Sequence, residues 1–177
     1  MVLAEFVRDL PRAAGYPQPA VYADPGYTGP HGRRIASRIG PIVVDAQKLI
    51  AAPRGLFGFE ALRQFALLRL PPARFGPLGL IQCLDDPSAA FLFHADIPTA
   101  TLYRPGDLES AGREFGIAAD DAATLILVTA RPVPVGLTMN LRAPVLVDTA
   151  RRLAFQHILA SGDYPLRFKP WPAAAAR

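Results

Sequence analysis

The residues best suited to chemistry lie in one short stretch near the middle of the chain, "IQCLDDPSAAFLF". Cys83 would serve as a nucleophile if His94 or His157 stood within hydrogen-bond reach as its base. Asp85 and Asp86 would share a proton or an ion if their carboxylates met. Each arrangement also has a purely structural explanation.

The structural explanation fits both features better. Neighbouring residues on an extended chain point to opposite faces, so the carboxylates of Asp85 and Asp86 do not converge. Asp86 suits the first position of a type I turn with Pro87 second, where its carboxylate accepts the backbone N–H two residues on. Cys83 belongs to an apolar, strand-like run, which is typical of a small core residue. We therefore predict a turn and a structural cysteine.

Other chemical sites are not indicated by the sequence. The three histidines, including His31, are scattered and lack the spacing of a metal cluster. The stretches "GPHG", "GLFGFE" and "FGPLGL" are not followed by the Lys-Ser/Thr pair of a phosphate-binding loop. A single cysteine excludes an internal disulfide and a cysteine-based zinc site. We predict no cofactor, no metal and no enzymatic activity.

Composition indicates one domain with a real core, since 51% of the 177 residues are hydrophobic. The net charge of +4 comes from 19 Lys and Arg against 15 Asp and Glu, without the positive runs of nucleic-acid-binding tails. Glu5 and Asp9 interrupt the N-terminus, which makes a poor secretory signal. No run approaches the roughly 18 apolar residues of a membrane span. We predict a cytoplasmic protein.

The chain is divided into short apolar pieces by 19 prolines and 14 glycines, a pattern typical of strands. Eight strand-sized pieces predict a mainly β fold, a barrel or sandwich, with one or two short helices. These pieces are "IGPIVVD", "FALLRL", "GLIQCL", "AAFLFHA", "TATLY", "TLILVTA", "GLTMNL" and "APVLVD".

Helical patterns are few. "DLESAGREFG" predicts a helix with Asp107 as its N-cap and an end at Gly116. "FEALRQF" fits a single turn before its strand. "TARRLAFQHILASG" has both a helical face and a strand face, and its periodicity favours a helix.

A further short helix, ended by Pro11, is predicted at the N-terminus, followed by the Pro/Gly-rich linker "YPQPAVYADPGYTGPHG". Its apolar face would carry Leu3, Phe6, Val7 and Leu10.

The order of several pieces resembles a known family. "IGPIVVDAQKLIAAPRGLFGFEALRQFALLRL", "LIQCLDDPSAAFLF", "TMNLRAPVLVDTARRLAFQHIL" and "YPLRF" follow one another. The series resembles the FliW family of bacterial flagellar assembly factors, in which "GFE" precedes a Leu/Phe strand and "LQS.DDP..AF" and "NL.AP..IN" follow. The chain departs from that pattern at Phe57, Cys83 and Asp148, where the family has Pro, Ser and Asn.

The resemblance implies a small β-barrel-like domain over residues 33–170. Residues 1–32 would then form an N-terminal extension and residues 171–177 a C-terminal tail. It also implies a hairpin with its turn near Asp148–Arg152 and a strand from Leu153–Leu159, against the helical periodicity there.

FliW-like proteins are not enzymes, and the resemblance implies a partner-switching regulator. Members bind flagellin and alternatively the RNA-binding repressor CsrA. Capture of CsrA frees flagellin mRNA for translation. The implied protein is a monomer when free and binds no nucleic acid directly. The loop aromatics Phe57, Phe59 and Tyr164 are expected to be exposed. The expected partner-binding residues are Phe59, Glu60, Asp85, Asp86, Pro87, Asn140, Pro144, Tyr164 and Arg167.

Charge sets the chain apart from typical members, which are acidic. Residues 33–170 hold 16 Lys and Arg against 12 Asp and Glu, a net of +4. An acidic patch would need six scattered residues to meet: Asp85, Asp86, Asp107, Glu109, Asp120 and Asp121. Two alternatives stay open: a basic nucleic-acid-binding β-barrel module using the tail "YPLRFKPW", and a Cys83-dependent hydrolase.

Overall fold

Ten strands and two short helices make up the part of the chain that the computed structural model describes, residues 27–37, 40–70, 78–94, 99–130 and 136–169. The strands are β1 (Gly32–Ile35), β2 (Ile42–Asp45), β3 (Leu49–Ala51), β4 (Gln64–Arg69), β5 (Leu78–Cys83), β6 (Ala90–His94), β7 (Ala122–Ala130), β8 (Leu137–Met139), β9 (Val145–Asp148) and β10 (Leu153–Gln156). The helices are α1 (Thr99–Leu102) and α2 (Asp107–Glu114). The predicted N-terminal helix and C-terminal tail lie outside the described residues.

Seven strands close into a barrel in the order β6-β5-β4-β3-β10-β9-β7, because β6 also pairs with β7. Neighbours in this ring are antiparallel, except that β10 runs parallel to β3. β8 adds to the edge of β7, and β1 pairs with β2 in a separate two-stranded sheet. The prediction of a mainly β, barrel-like fold is confirmed.

Apolar side chains are buried on both faces of the sheet. Alternate residues of a strand point to opposite faces, and the buried residues accordingly form two clusters. The first cluster contains, among others, Phe65, Leu67, Ile81, Cys83, Phe93, Leu125 and Val147. The second contains Ala66, Leu68, Leu80, Ile126 and Leu146, together with Ala111 of α2 and Tyr164 near the C-terminus. Burial on both faces explains why these strands read as continuous apolar runs.

Strands β8 and β9 lie along the same edge of β7. Ala122–Leu125 of β7 pair with β9, whereas Val128–Ala130 pair with β8. The chain therefore leaves the sheet between the two strands, at residues 140–144. Asn140 shapes this excursion, since its Oδ1 accepts 3.1 Å hydrogen bonds from the backbone N–H groups of the residues two and three positions on.

Two local predictions were wrong. "TATLY" forms α1 instead of a strand, with the backbone N–H of Tyr103 donating to the Thr99 carbonyl. A strand there could not lie between β6 and β7 in the sheet, because those two strands pair directly with each other. Asp107 is the first residue of α2 and not its N-cap, a position held by Gly106 at φ 85°. Neither helix of the described ranges is long and apolar enough to cross a membrane.

The hairpin between β9 and β10 is confirmed, and the helical periodicity of this segment is overridden by strand pairing. Asp148 fixes its turn by accepting hydrogen bonds from the backbone N–H and Nε of Arg151. The same guanidinium donates to the Phe115 and Gly116 carbonyls at the end of α2. Strand β10 ends at Gln156, short of the predicted Leu159.

Candidate functional site

The turn between β5 and β6 has the predicted type I form. The Asp86 carbonyl accepts the backbone N–H of Ala89 at 3.0 Å, and its Oδ1 accepts that of Ser88 at 2.9 Å. The hydrogen bonds from Ser88 hold the pKa of the Asp86 carboxyl below its usual range. The carbonyl of Pro87 accepts Nε2 of the buried Gln82. The carboxylates of Asp85 and Asp86 thus accept hydrogen bonds from different backbone groups and do not share a proton or an ion.

Asp85 ties this turn to the loop between β3 and β4. Its Oδ2 accepts the backbone N–H groups of Arg63 at 2.5 Å and Gln64 at 2.8 Å. These two donors lower the pKa of the Asp85 carboxyl. Since Arg63 closes the β3–β4 loop and Gln64 begins β4, a single carboxylate holds both loops side by side.

Within the β3–β4 loop, Leu56–Phe59 form a tight turn that presents two aromatic rings. The backbone N–H of Phe59 donates to the Leu56 carbonyl at 2.7 Å, and Gly58 has φ 80°. This is the pattern of a type II turn, in which the second position is often proline. Phe57 occupies that position here. The side chains of Phe57 and Phe59 are 49% and 44% exposed. We call Leu56–Phe59 the aromatic turn.

The residues around the aromatic turn hold it in place. Gly55 has φ 67°, and a Cβ there would lie 2.5 Å from the Phe59 carbonyl oxygen. The Glu60 carboxylate accepts a hydrogen bond from the backbone N–H of Gly58 at 2.8 Å. This bond lowers the pKa of the Glu60 carboxyl. The Phe59 ring packs edge-on against Phe91 of β6, 4.8 Å between ring centres. The rings of Phe57 and Phe59 are therefore partly exposed to solvent on a backbone held by these contacts.

Gln156, at the end of β10, joins the aromatic turn to the excursion between β8 and β9. Its Oε1 accepts the backbone N–H of Phe57 at 2.9 Å, and its Nε2 donates to the Ala143 carbonyl at 3.2 Å. Ile158, two residues beyond the end of β10, is 54% exposed. We call Phe57, Phe59 and Ile158 the aromatic face.

The remaining expected binding residues are placed less favourably for a partner. Pro144 is buried, and its carbonyl accepts the backbone N–H of His157. Tyr164 is only 6% exposed, so the expectation that it is exposed was wrong. Its hydroxyl donates to Asp107 and accepts the backbone N–H of Arg104. Arg167 is exposed.

Cys83 is fully buried at the end of β5, and burial raises the pKa of its thiol. His94 pairs with Leu78 at the opposite end of that strand, about 16 Å away at 3.3 Å per residue. His157 lies against Phe115 and Glu114 instead. No histidine thus stands beside the thiol, and no group of His, Cys, Asp and Glu in the described ranges could hold a metal ion.

The acidic residues occupy three different elements. Asp85 and Asp86 lie in the β5–β6 turn, Asp107 and Glu109 in α2, and Asp120 and Asp121 in the 3-10 turn Ala119–Asp121 before β7. The acids next to the aromatic turn are those of the β5–β6 turn and Glu60.

Gln156 and Ile158 were missed by the sequence reasoning. Gln156 is 99 positions from Phe57, so no local pattern connects them. Ile158 belongs to a segment with two competing periodicities, and it lies two residues beyond the end of β10. Even with the hairpin assumed, alternation would place Ile158 on the face of the buried Ala154, so the sequence gives no signal for its exposure.

Comparison with known proteins identifies the family. A family model described as "FliW protein" matches residues 34–170. The flagellar assembly factor FliW of Syntrophotalea carbinolica is 33% identical over 143 residues, 80% of this chain and 99% of that protein. The flagellar assembly factor FliW of Syntrophus aciditrophicus is 31% identical over 133 residues, 75% of this chain and 83% of that protein.

The fold is likewise similar to a solved structure, described as the crystal structure of the flagellar assembly factor FliW. The TM-score is 0.66 at 23% identity, covering 79% of this chain and 98% of the other. The matched residues, 34–170, include the whole seven-stranded barrel and both segments that carry the aromatic face. This chain belongs to the FliW family of flagellar assembly factors.

Proposed function

We propose that this chain is a cytoplasmic partner-switching regulator that binds flagellin and, alternatively, a CsrA-type translational repressor. When flagellin is exported, the freed factor captures the repressor and relieves the repression of flagellin translation. The chain acts by binding and not by catalysis. Membership of the flagellar assembly factor family supports the proposal.

The aromatic face is the observation that carries this proposal. Phe57 and Phe59 are large apolar side chains held half-exposed on a rigid turn. Aromatic residues fixed before binding are enriched at the centres of protein interfaces, because they bury much area and lose little conformational freedom. Glu60 is exposed and accepts a hydrogen bond from Gly58 of the turn, and the exposed Asp86 lies in the β5–β6 turn that Asp85 ties to the same loop, so both suit a polar rim. We propose these residues and Ile158 as partner contacts.

The roles of the other expected residues follow from their positions. Asp85, Asn140 and Pro144 shape the loops around the aromatic face, through the hydrogen bonds described above. Tyr164 anchors the C-terminal segment to the start of α2. Substitution of these four residues would act on partner binding indirectly, by moving the loops.

The test is a pair of titrations with purified flagellin and purified CsrA, using the wild type and the double variant Phe57→Ser/Phe59→Ser. Loss of two central aromatic contacts should weaken binding at least about tenfold, equivalent to about 1.4 kcal/mol. Leu166→Ser is the matched control, since Leu166 is also exposed, at 62%, but lies outside the aromatic face. It should leave both affinities unchanged.

Competition between the partners is measured by adding flagellin to the preformed complex with CsrA. Release of CsrA supports the switch, whereas a stable ternary complex contradicts it. A third titration, with labelled flagellin-leader RNA, measures whether the chain binds RNA directly. Tyr164 is buried and Phe168 pairs with Met139, so the described tail offers no free aromatic platform for stacking bases. Tight, sequence-dependent RNA binding without a protein partner would overturn the proposal.

A further inference from the structure

The hydrogen bond beneath the aromatic turn joins its tip to a strand of the barrel. Gln156 is the last residue of β10, and all four residues of β10 pair with β9. Its Oε1 accepts the backbone N–H of Phe57 at 2.9 Å, and its Nε2 donates to the Ala143 carbonyl at 3.2 Å. An amide satisfies both partners in one orientation only, since the N–H needs an acceptor and the carbonyl needs a donor. The Ala143 carbonyl therefore fixes which end of Gln156 faces Phe57.

The two rings of the aromatic turn are held by different contacts. The Phe59 ring packs edge-on against Phe91, and the Phe59 backbone N–H donates to the Leu56 carbonyl. Within the described ranges, no aromatic or cation–π contact reaches the Phe57 ring. Phe57 is instead held through its backbone, by the hydrogen bond to Gln156 and by the buried Leu56 that precedes it. The direction of the Phe57 ring thus depends on Gln156 more than that of the Phe59 ring does.

A fixed ring direction matters for binding. A side chain that is mobile in the free protein must be ordered in the complex, and this ordering costs affinity. Phe57 is half-exposed and suits an apolar pocket on a protein partner. Because the hydrogen bond to Gln156 restrains the Phe57 backbone before any partner arrives, part of that cost is already met in the free chain.

We propose that Gln156 is a positioning residue for partner binding. Its side-chain oxygen holds the backbone of Phe57, so that the Phe57 ring meets an apolar pocket of the partner in one direction. Gln156 acts through Phe57 and is itself half-buried at the end of β10. The role rests on the proposed function, because the aromatic turn is the same binding surface.

The first test compares two substitutions of Gln156 in titrations with purified flagellin and purified CsrA. Gln156→Met keeps the length of the side chain and removes both hydrogen bonds, so it should weaken binding about three- to tenfold. Gln156→Glu keeps an acceptor for the Phe57 N–H and loses only the donor to Ala143, so it should recover most of that loss. Gln47→Met, at an exposed glutamine outside the aromatic face, is the matched control and should bind like the wild type.

The second test asks whether Gln156 acts through the ring. In a chain that already carries Phe57→Ala, the ring is absent and Gln156→Met should weaken binding no further. The two substitutions are thus coupled in a double-mutant cycle. A general structural role of Gln156 would weaken binding equally in both backgrounds, through the rest of the loop. Urea transitions first show that each variant is folded.

Amide exchange of the free chain supplies a readout that does not depend on any partner. Gln156→Met should speed exchange at residue 57 both in the wild type and in Phe57→Ala, since the backbone N–H is present in each. The hydrogen bond would then respond in both backgrounds, whereas affinity would respond only where the ring is present. That contrast supports positioning of the ring.

The outcomes separate this role from the proposed function. Failure of the wild-type chain to bind either partner would overturn the proposed function, and this role with it. Wild-type affinity in Gln156→Met, while Phe57→Ser/Phe59→Ser binds weakly, would overturn the positioning role alone. An equal loss of affinity from Gln156→Met with and without the Phe57 ring would do the same.

Discussion

The backbone N–H of Phe57 donates a 2.9 Å hydrogen bond to Oε1 of Gln156, a residue 99 positions further along the chain. The family pattern has proline at position 57, and proline has no N–H to give. This chain therefore has both a half-exposed ring at the tip of the aromatic turn and a side-chain contact beneath it that a proline would preclude.

Gln156→Ala should loosen the aromatic turn without unfolding the barrel. It removes the acceptor for Phe57 and the donor to the Ala143 carbonyl, at a net cost of about 1 kcal/mol, since water replaces part of the loss. Urea denaturation measures the cost, and faster amide exchange at Phe57 locates it. Gln47→Ala, at an exposed glutamine in the 3-10 turn Ala46–Lys48, should change neither.

Gly55 and Gly58 should respond differently to the same substitution. Both have positive φ, 67° and 80°, which costs an alanine about 1–2 kcal/mol. At Gly55 the added Cβ would also lie 2.6 Å from the Cα of Glu60, whereas at Gly58 it meets nothing within 4 Å. Gly55→Ala should thus cost about 3 kcal/mol or more in denaturant titrations, and equal costs at both sites would contradict the packing described here.

The contribution of Asp85 should depend on pH. Because its pKa is lowered in the folded state, its stabilisation is present above the unfolded value of about 3.9 and is lost as the pH falls through the lower folded-state pKa. Asp85→Asn should therefore be less stable than the wild type at pH 5–7, with the difference vanishing at lower pH. Asp120→Asn, at another exposed carboxylate, is the control. A pH-independent difference would exclude the charge as the cause.

Features encoded by neighbouring residues were predictable. The Asp-Pro pair that makes the β5–β6 turn acts over four residues, and its geometry follows from the fixed φ of Pro87 and the side chain of Asp86. Strands that are buried on both faces can be recognised in the sequence as continuous apolar runs. Such signals were sufficient for the fold class and for the turn at the candidate site.

Features decided by distant residues were not predictable. α1 forms where the composition favours a strand, and the direct pairing of β6 with β7 leaves no place for a strand between them. β1 was missed because "GRRI" has a single buried residue, Ile35, and pairs only with β2. The burial of Tyr164 depends on Asp107, 57 positions away. Each outcome is set by tertiary contacts that override local preference.

Cys83 should behave as a structural residue. Its pKa is raised by burial, so the thiol stays protonated at neutral pH, and any stabilisation from the neutral form is lost only as the pH rises through that value. Alkylation by iodoacetamide at pH 7.5 should be negligible in the native state and fast in urea. Cys83→Ser should cost roughly 1–3 kcal/mol while partner binding persists. Stable protein without binding would restore the nucleophile hypothesis.

The boundary of the N-terminal extension is open to a direct test, because β1 begins at Gly32. The first pair of the β1–β2 sheet joins Gly32 to Asp45, and the carbonyl of His31 accepts the backbone N–H of Ala46. A domain starting at residue 33 would lack both contacts. We therefore place the limit of tolerated truncation nearer to Tyr27 than to residue 33.

A chain starting at residue 27 should unfold cooperatively, with a free energy of unfolding within about 1 kcal/mol of the full chain and a Tm lower by only a few degrees. It keeps the anchor of Tyr27 on Val43. A chain starting at residue 36 loses β1 and the buried Ile35, which is 7% exposed in the second apolar cluster. Its cost should be about 2–5 kcal/mol, as for deletion of a buried aliphatic side chain. Calorimetry of both truncations decides the point, because similar melting curves would show that β1 contributes nothing to the body of the barrel.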